Sequence, residues 1–269
     1  MVSCGNPWQP TAVRRVIQAL GTSTGVAKVS TDEGIAYLKG IGNPAGLDSL
    51  ATELVGTELA RWIGLQTPDF AIISVNNIDI PLRAGGSLQY GPMFASRDTV
   101  HITYDGDPSK LSRLLDPEAV SRLVVFDSWI RNGDRHHPDE NLQIVNRDNL
   151  FFSPRGRDYE LIAIDHSHCF VAGTLADEIG DPEVRDDDGV YGLFPEFRPL
   201  ISPAAIGRSL HRLSEIDTRV AGEIVGSIPS EWGVTARTRQ LWVEVICQRA
   251  QHVLRYLPHT LFDQMGLGI

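Results

Sequence analysis

Lysine is almost absent from this chain, which has three lysines (Lys28, Lys39 and Lys110) against twenty-one arginines. Basic side chains are also the minority charge, since 34 acidic residues stand against 24 basic ones and the formal net charge is −10. Nucleic-acid surfaces need clustered Lys and Arg, so we expect no direct nucleic-acid partner. In a chain that otherwise uses arginine, a lysine at a strand end indicates a need for a compact ammonium.

Cysteine and long apolar runs are scarce as well. Three cysteines at long spacings fit neither a disulfide framework nor the paired ligands of a structural zinc site, so we expect a cytoplasmic protein. No apolar run approaches the ~18 residues of a membrane span. The N-terminus lacks the apolar core of a secretory signal, so neither export nor membrane association is expected. At 269 residues and 42% hydrophobic, the chain predicts one or two globular domains.

The first part of the sequence has the pattern of a small sheet with one helix. Apolar residues recur at helical spacing over 47–62, where Asp48 or Ser49 is placed to cap the helix and Gly64 lies just past its end. Lys39 closes the strand that precedes this helix. Alternating or β-branched runs predict strands at residues 13–20, 26–30, 35–39, 70–75 and 78–82.

The rest of the sequence is dominated by helical patterns. A tight extended segment at 91–96 is interpreted as the crossing between two halves, and we place the domain boundary near Ala95, between residues 1–95 and 96–269. An irregular acidic stretch at 177–192 interrupts the second half. The predicted helices cover residues 117–131, 203–227 and 235–257.

A loop after the first of these helices carries candidate catalytic residues. Asp134 lies in this loop, where a carboxylate can accept or orient the proton of a hydroxyl group. Asn141 directly precedes a predicted strand at 142–145, and Asp165 ends the next apolar strand. A hairpin of these two strands would bring both side chains toward one end, where their oxygens can share a Mg²⁺ ion.

Lys39 supplies the positive charge that such a site requires. An ammonium on a strand, held by a glutamate on the next helix, reaches the α- and β-phosphates of ATP. Glu53 is the expected partner, and Glu58 is the alternative on another face of the helix. A solvated edge-strand lysine is the ordinary interpretation of Lys39 alone. The combination of lysine, asparagine and two aspartates instead predicts a kinase that uses Mg-ATP.

These segments resemble the HipA-like kinases, relatives of the phosphatidylinositol 3/4-kinases and the protein kinases. The sequence Asn132-Gly133-Asp134-Arg135-His136, followed by Asn141 and Asp165-His166-Ser167, is similar to the catalytic and metal-binding segments of that family. The resemblance implies an α+β, two-lobed protein-kinase-like fold, with a small antiparallel sheet and one helix in the N-lobe and a larger, mainly helical C-lobe. Further similarity lies at residues 52–68 (N-lobe helix and exit), 91–96 (hinge) and 228–232 (C-terminal region), within a span of about 12–257.

The resemblance also implies a role for each candidate. Lys39 would bind the phosphates of ATP, Glu53 would pair with it, and Asp134 would be the catalytic base. Asn141 and Asp165 would hold magnesium. The family pattern places the asparagine nearer to the catalytic aspartate, at the position that Asp139 occupies here, so Asp139 stays an alternative. The nucleotide would also meet a phosphate-covering turn and the hinge, at Gly21, Ser23, Gly25 and Phe94.

The function expected from this resemblance is a Ser/Thr protein kinase. The resemblance also suggests the toxin of a toxin–antitoxin pair, with a small repressor as its partner. Thr22, Ser23 and Thr24 are candidate sites of self-phosphorylation. A pseudokinase or nucleotide-binding regulatory module is an alternative, because Asn141 is shifted and Ser167 replaces the glycine of the usual motif. A kinase for a small molecule or an inositol lipid is a further alternative, although the chain has no basic membrane-binding segment.

Overall fold

The computed structural model describes residues 8–266 of the chain. Its first half contains an antiparallel sheet and one long helix. The elements are β1 (Val13–Ala19), β2 (Ala27–Thr31), β3 (Gly34–Lys39), α1 (Gly46–Ile63), β4 (Phe70–Val75), β5 (Ile80–Pro81), β6 (Ser87–Leu88) and β7 (Gly91–Arg97). The five-stranded sheet has the order β1-β2-β3-β7-β4, with every neighbouring pair antiparallel, and β5 and β6 form a separate hairpin.

Side chains alternate across the sheet, so its two faces differ in character. On β3, Ala36 and Leu38 are fully buried in an apolar cluster to which Trp8 and the β5–β6 hairpin also contribute. Tyr37 and Lys39 have the opposite parity and therefore lie on the other face. The polar face of the sheet looks toward the second half of the molecule, where the cleft described below is found.

The second half of the molecule is mainly helical and carries a small sheet. Its three short strands are ordered β10-β9-β8, with both pairs antiparallel. The elements are β8 (Ile102–Thr103), α2 (Pro108–Leu111), α3 (Glu118–Ile130), β9 (Leu150–Arg155), β10 (Asp158–Ala163), α4 (Leu175–Glu178), α5 (Pro182–Arg185), α6 (Pro203–Leu213), α7 (Thr218–Gly226) and α8 (Ala236–Gln264).

Helix α1 belongs to the core of this second half, although it follows the sheet in sequence. Twelve of its eighteen residues are buried, which is more than one helix face. Leu50, Leu54 and Leu59 join the same apolar cluster as Trp129 of α3, and the helix contacts α3, α6 and α7. The one helix of the sheet half is therefore held by the helices of the other half.

The ends of α1 agree only in part with the sequence prediction. Gly64 ends the helix as predicted, with a positive φ of 96° and its N–H directed to the carbonyls of the last turn. The predicted caps are wrong, since the helix begins at Gly46 without a side-chain cap. Asp48 instead accepts a hydrogen bond from the backbone N–H of Leu175 at 2.9 Å, which ties α1 to the first residue of α4.

The fold class is confirmed, because a small antiparallel sheet with one helix precedes a larger, mainly helical region. Segment 91–96 is not a crossing connection, since it lies within β7 in the interior of the sheet, and the chain crosses at residues 98–101 instead. The domain boundary near Ala95 stays a prediction. The predicted helix 203–227 is two helices, α6 and α7, because Asp217 caps a new helix start.

The predicted strand at 142–145 is wrong. Residues Glu140–Leu142 form a 3-10 turn. Gln143, which follows this turn, has a positive φ of 50°, outside the extended region that strand residues adopt. The strand that pairs with β10 is β9, which starts at Leu150. Between residues 8 and 266, no helix combines the length and apolarity needed to cross a membrane.

Arg249 on α8 connects the end of α3 to the loop that follows α5. Its loss is expected to destabilise the fold. Its guanidinium is fully buried and donates to the backbone carbonyls of Ser128, of Trp129 at 3.2 Å and of Asp187 at 2.6 Å. Arg249→Met leaves these carbonyls without donors, so we expect a loss of about 2–4 kcal/mol in the free energy of unfolding. Urea denaturation measures the change.

Arg255, exposed on the same helix, provides the matched control. Arg255→Met should change the free energy of unfolding by less than about 0.5 kcal/mol. Equal midpoints for the two variants would contradict the proposed role of Arg249.

Candidate active site

A cleft of about 380 Å³ lies between the polar face of the large sheet and the β9–β10 hairpin. The sheet side contributes Tyr37 and Lys39 from β3, and the hairpin side contributes Phe151 and Asp165. The cleft also receives Glu53 from α1. Cavities of this size hold nucleotide-sized ligands. The remaining lining residues include Leu20, Thr22, Val26, Phe70, Phe94, Ser96, Thr99, His101, Asp148 and Asn149.

Lys39 lies at the inner end of this cleft between two carboxylates. Its Nζ is 2.7 Å from Oε2 of Glu53 and 2.9 Å from Oδ1 of Asp165. Lys39 and Glu53 are 9% and 4% exposed, so this ion pair is shielded from solvent. The sequence pointed to Glu53, and the alternative, Glu58, lies by a separate cavity against β4. The structure thus brings together three groups that are distant in sequence.

The ammonium of Lys39 favours ionisation of both carboxylates, which otherwise repel each other. Burial alone would lower the pKa of Lys39, but the charges of Asp165 and Glu53 outweigh it and raise the pKa above its ordinary value. Burial would raise the pKa of Asp165, but the charge of Lys39 and hydrogen bonds from Ser167 and Lys39 lower it below its usual range. At neutral pH the site therefore holds an ammonium beside an ionised carboxylate, as binding of phosphate and a divalent cation requires.

The segment that begins at Asp165 has an unusual backbone conformation. Asp165 has a positive φ of 56°, and the hydroxyl of Ser167 donates to its Oδ1. The carbonyl of Ser167 accepts from the hydroxyl of Thr52 on α1 at 2.8 Å. Ser167 itself has no positive φ, so a glycine is not needed there. Ser167 therefore links the carboxylate of Asp165 to α1.

His166 occupies a fully buried position against α1. Its Nδ1 is 3.1 Å from the hydroxyl of Thr57, and its ring meets Phe126 edge to face at 5.5 Å. Burial lowers the pKa of His166, which keeps it neutral. A Cβ added at Gly56 would lie 2.5 Å from the Cβ of His166, so only glycine allows this approach. Sequence analysis missed this contact, because a glycine inside a helix gives no indication of its neighbour.

Asp134 is half-buried and does not itself line the cleft. Its Oδ2 accepts hydrogen bonds from the side-chain amides of Asn149 at 2.8 Å and Asn146 at 3.4 Å. Asn149 is 5% exposed and lines the cleft together with Asp165. Because the amide nitrogen of Asn149 is directed to Asp134, its oxygen is left as an acceptor. Asn149 therefore connects the predicted catalytic loop with the cleft.

Asn141 does not take the position predicted for it. It is exposed, and its amide donates to Oδ1 of Asp139 at 2.8 Å. Asp139 is exposed too and caps the 3-10 turn, and neither residue lines the cleft. The sequence predicts Asn141 as a metal ligand because it directly precedes a predicted strand, but in the structure the asparagine directly before a strand is Asn149. The apolar run Leu150-Phe151-Phe152 after Asn149 is the sequence signal that identifies the strand.

Arg135, to which the sequence analysis assigns no role, supports the backbone on both sides of the cleft hairpin. It is fully buried and pairs with Asp127 of α3 at 2.9 Å. Its Nη1 donates to the carbonyl of Asn149 at 2.6 Å, and its Nη2 lies 3.3 Å from the carbonyl of Ile164. Burial raises the pKa of Asp127 to about 6, although Arg135 opposes the shift. One side chain thus fixes the backbone beside both Asn149 and Asp165.

The turn between β1 and β2 closes one edge of the cleft. Leu20 and Val26 pair through a backbone hydrogen bond of 2.8 Å at its base. Gly25 has a positive φ of 60°, and a Cβ there would lie 2.6 Å from Pro44, so this position requires glycine. Thr22 lines the cleft, whereas Gly21 and Ser23 are exposed above it. Phe94 lines the cleft as well and stacks on Phe70, with ring centroids 5.5 Å apart.

The donor set at the cleft fits a magnesium ion. Within residues 8–266, no three His, Cys, Asp or Glu side chains form a metal cluster of their own. The carboxylate of Asp165 and the amide oxygen of Asn149 are hard oxygen donors of the kind that Mg²⁺ takes together with phosphate oxygens and water. These two residues, one directly before β9 and one just after β10, would hold the ion.

Removing Arg135 is expected to destabilise the fold, because Arg135 neutralises a buried carboxylate. In Arg135→Met the carboxylate of Asp127 stays buried without a cation, so we expect a loss of about 3–5 kcal/mol in the free energy of unfolding. The double variant Arg135→Met with Asp127→Leu removes both charges and should recover part of the loss. Equilibrium denaturation of the two variants tests this, and a double variant no more stable than Arg135→Met would contradict the buried-charge explanation.

Comparisons with known proteins agree with this geometry. A sequence model of the HipA-like kinases matches residues 21–264, which is nearly the whole chain. The crystal structure of the Helicobacter pylori proinflammatory kinase CtkA is similar in fold, with a TM-score of 0.56 and 12% identity, covering 97% of this chain and 98% of that one. At this identity the likeness concerns the fold alone. No curated protein matches the sequence. With a cation, two acidic groups and an asparagine gathered at one cleft and a family match over almost its full length, the chain belongs to the HipA-like kinase family.

Proposed function

We propose that this protein is an ATP- and Mg²⁺-dependent kinase that phosphorylates Ser or Thr hydroxyls of protein substrates. The observation that carries the proposal is the convergence of Lys39, Glu53 and Asp165 at one end of a cleft that Asn149 links to Asp134. Phosphoryl transfer depends mainly on positioning and on charge stabilisation. These five residues provide the groups for both.

Each residue has a distinct role in the proposed reaction. Lys39 holds the phosphates through its ammonium, and Glu53 keeps that ammonium in place. Asp165 and the amide oxygen of Asn149 hold magnesium, which neutralises charge on the triphosphate when it is bound. Asp134 accepts or orients the proton of the attacking hydroxyl. The amide of Asn149 holds the carboxylate of Asp134 in a fixed orientation.

Two acids of the stretch at 177–192 are paired with basic side chains of the fold. Asp187 pairs with Arg131 at 2.6 Å, and Asp188 lies 2.8 Å from His252. Four other acids of the stretch are exposed, namely Asp177, Asp181, Glu183 and Asp186. Their charge favours a substrate with basic residues near the hydroxyl. Protein hydroxyl groups are proposed as the substrate because the chain belongs to the HipA-like kinases. The role as a toxin with a small repressor as its partner is proposed for the same reason.

A pseudokinase is the main alternative, and two features of the site favour catalysis over it. The shifted asparagine is accounted for by Asn149. Ser167, which replaces a glycine, hydrogen-bonds the carboxylate of Asp165. Catalysis is therefore the function that the site supports better.

The two asparagines give a direct test of the proposed site. Asn149→Ala removes a metal ligand and the partner of Asp134, so we expect a loss of roughly 100-fold or more in phosphate transfer, partly restored by higher Mg²⁺. Asp134→Asn should lose roughly 100- to 10,000-fold. Asn141→Ala is the matched control and should retain wild-type activity. The measurement is transfer of labelled γ-phosphate to the protein and to lysate proteins. Full activity of Asn149→Ala with loss in Asn141→Ala would reverse the assignment.

Self-phosphorylation in the β1–β2 turn is a separate prediction. Thr22 and Ser23 are both exposed, but the hydroxyl of Thr22 accepts a hydrogen bond from the backbone N–H of Val26 at 3.1 Å. Thr24 is 1% exposed and needs the turn to open. We expect incubation with Mg-ATP to add one phosphate at Ser23, as measured by intact mass and peptide mapping. Ser23→Ala should prevent the mass change and Thr24→Val should not. An unchanged mass of a preparation that phosphorylates other proteins would refute this prediction and leave the kinase proposal intact.

A further inference from the structure

A cluster at the outer end of the cleft contains the second of the three lysines. Lys28 on β2 places its Nζ 2.9 Å from Oδ2 of Asp98 and 3.1 Å from the hydroxyl oxygen of Tyr37. The same ammonium lies 5.0 Å from the centre of the Tyr37 ring. Asp98 is the first residue after β7, and its backbone N–H donates to the carbonyl of Ile35 at 2.9 Å. The cluster thus joins β2 and β3 to the connection between the two halves.

Tyr37 is the member of the cluster that faces the cleft. It lines the cavity, and it shares the polar face of β3 with Lys39 because the two are separated by one residue. That spacing puts them about 7 Å apart along the strand. Tyr37 pairs with Ser96 of β7 and Lys39 with Phe94, so Tyr37 is the nearer of the two to the connection that follows β7. A nucleotide whose phosphates meet Lys39 therefore directs its base toward Tyr37.

The other wall of the cleft presents an aromatic surface at the same end. His101 stacks on Phe151 with centroids 3.6 Å apart and an interplanar angle of 12°, and both residues line the cavity. His101 is fixed by a contact of 2.7 Å between its Nδ1 and the carbonyl of Thr99. A flat ligand in this part of the cleft thus has an aromatic ring available on the sheet side and another on the hairpin side.

The chemistry of Lys28 determines what the hydroxyl of Tyr37 can do. An ammonium only donates hydrogen bonds, so the oxygen of Tyr37 is the acceptor in this contact. The O–H of Tyr37 is then left to donate to another group. The hydrogen bond from Lys28 also restricts the side-chain rotation of Tyr37, because the ring is then held at its hydroxyl as well as at its Cβ. The pKa of Lys28 is raised, chiefly by its hydrogen bond to Asp98, so the contact persists at neutral pH.

We propose that Lys28 and Asp98 hold Tyr37 as the base-binding wall of the cleft, so that this cluster sets the affinity for the nucleotide base and favours purines over pyrimidines. The proposal rests on the proposed ATP-dependent function. A purine offers two fused rings for stacking where a pyrimidine offers one, and loss of an aromatic partner weakens base binding markedly. Tyr37 contacts the base, whereas Lys28 and Asp98 are positioning residues that act through it.

Nucleotide binding by the intact chain tests this cluster. The dissociation constants for ATP, GTP, CTP and UTP are measured by displacement of a fluorescent ATP analogue, with the melting temperature of each variant as a check of folding. We expect Tyr37→Ala to raise the constant for ATP roughly tenfold. Lys28→Met and Tyr37→Phe should each raise it roughly threefold, and the double variant should be no worse than either, because the two act as one unit. Wild type should bind ATP and GTP more tightly than CTP and UTP.

Lys110→Met is the matched control, since Lys110 lies on α2 and pairs with Asp105 at 2.6 Å, away from the cleft. It should bind ATP as wild type does. Lys28→Arg keeps a cation for Asp98 and Tyr37 and should restore most of the affinity lost in Lys28→Met. In turnover assays the change in Lys28→Met should fall on KM rather than on kcat.

The outcomes separate this inference from the proposed function. If wild type binds ATP but Lys28→Met and Tyr37→Ala bind it as Lys110→Met does, the base-wall assignment is wrong and the kinase proposal stands. If wild type binds no nucleoside triphosphate, both are wrong. Additive losses in the double variant would show that Lys28 does not act through Tyr37.

Discussion

The buried ion pair between Lys39 and Glu53, extended to Asp165, is the interaction on which the rest of the structure depends. It joins the large sheet, the long helix and the end of the β9–β10 hairpin, which come from different parts of the chain. A charge this well shielded is tolerated only when it is paired, so the three elements have to meet in one arrangement. The neighbouring hydrogen bonds of Thr52 and Ser167 secure that arrangement from the side of the helix.

Much of the fold could be predicted from periodicity. Alternating apolar residues identified the strands of the large sheet, and helical spacing identified α1 and its end at Gly64. These features are local, and local patterns are what a single sequence records best. Lys39, Glu53 and Asp165 could be selected for the same reason, since each stands at a recognisable strand end or helix face.

The errors arose where contacts between distant residues decide the structure. Asn141 and Asn149 both precede apolar residues, and only the pairing of β9 with β10 shows which one starts a strand. Arg135 directly follows Asp134 in the sequence, but its buried pair with Asp127 and its hydrogen bonds to two carbonyls make it a support for two backbone segments. The close approach of Gly56 and His166 joins residues more than one hundred positions apart, which no periodicity records.

The position of α1 has a consequence for control of the enzyme. In protein kinases the position of the corresponding helix controls whether its glutamate pairs with the lysine, and an inactive state can be reached by moving the helix away from the sheet. Here the helix is surrounded by α3, α6 and α7, so an outward rotation would expose Leu50, Leu54 and Leu59 to water. The inactive conformation would be close to a partly unfolded one. Withdrawal of Glu53 from Lys39 would therefore break the ion pair and expose apolar surface in the same step.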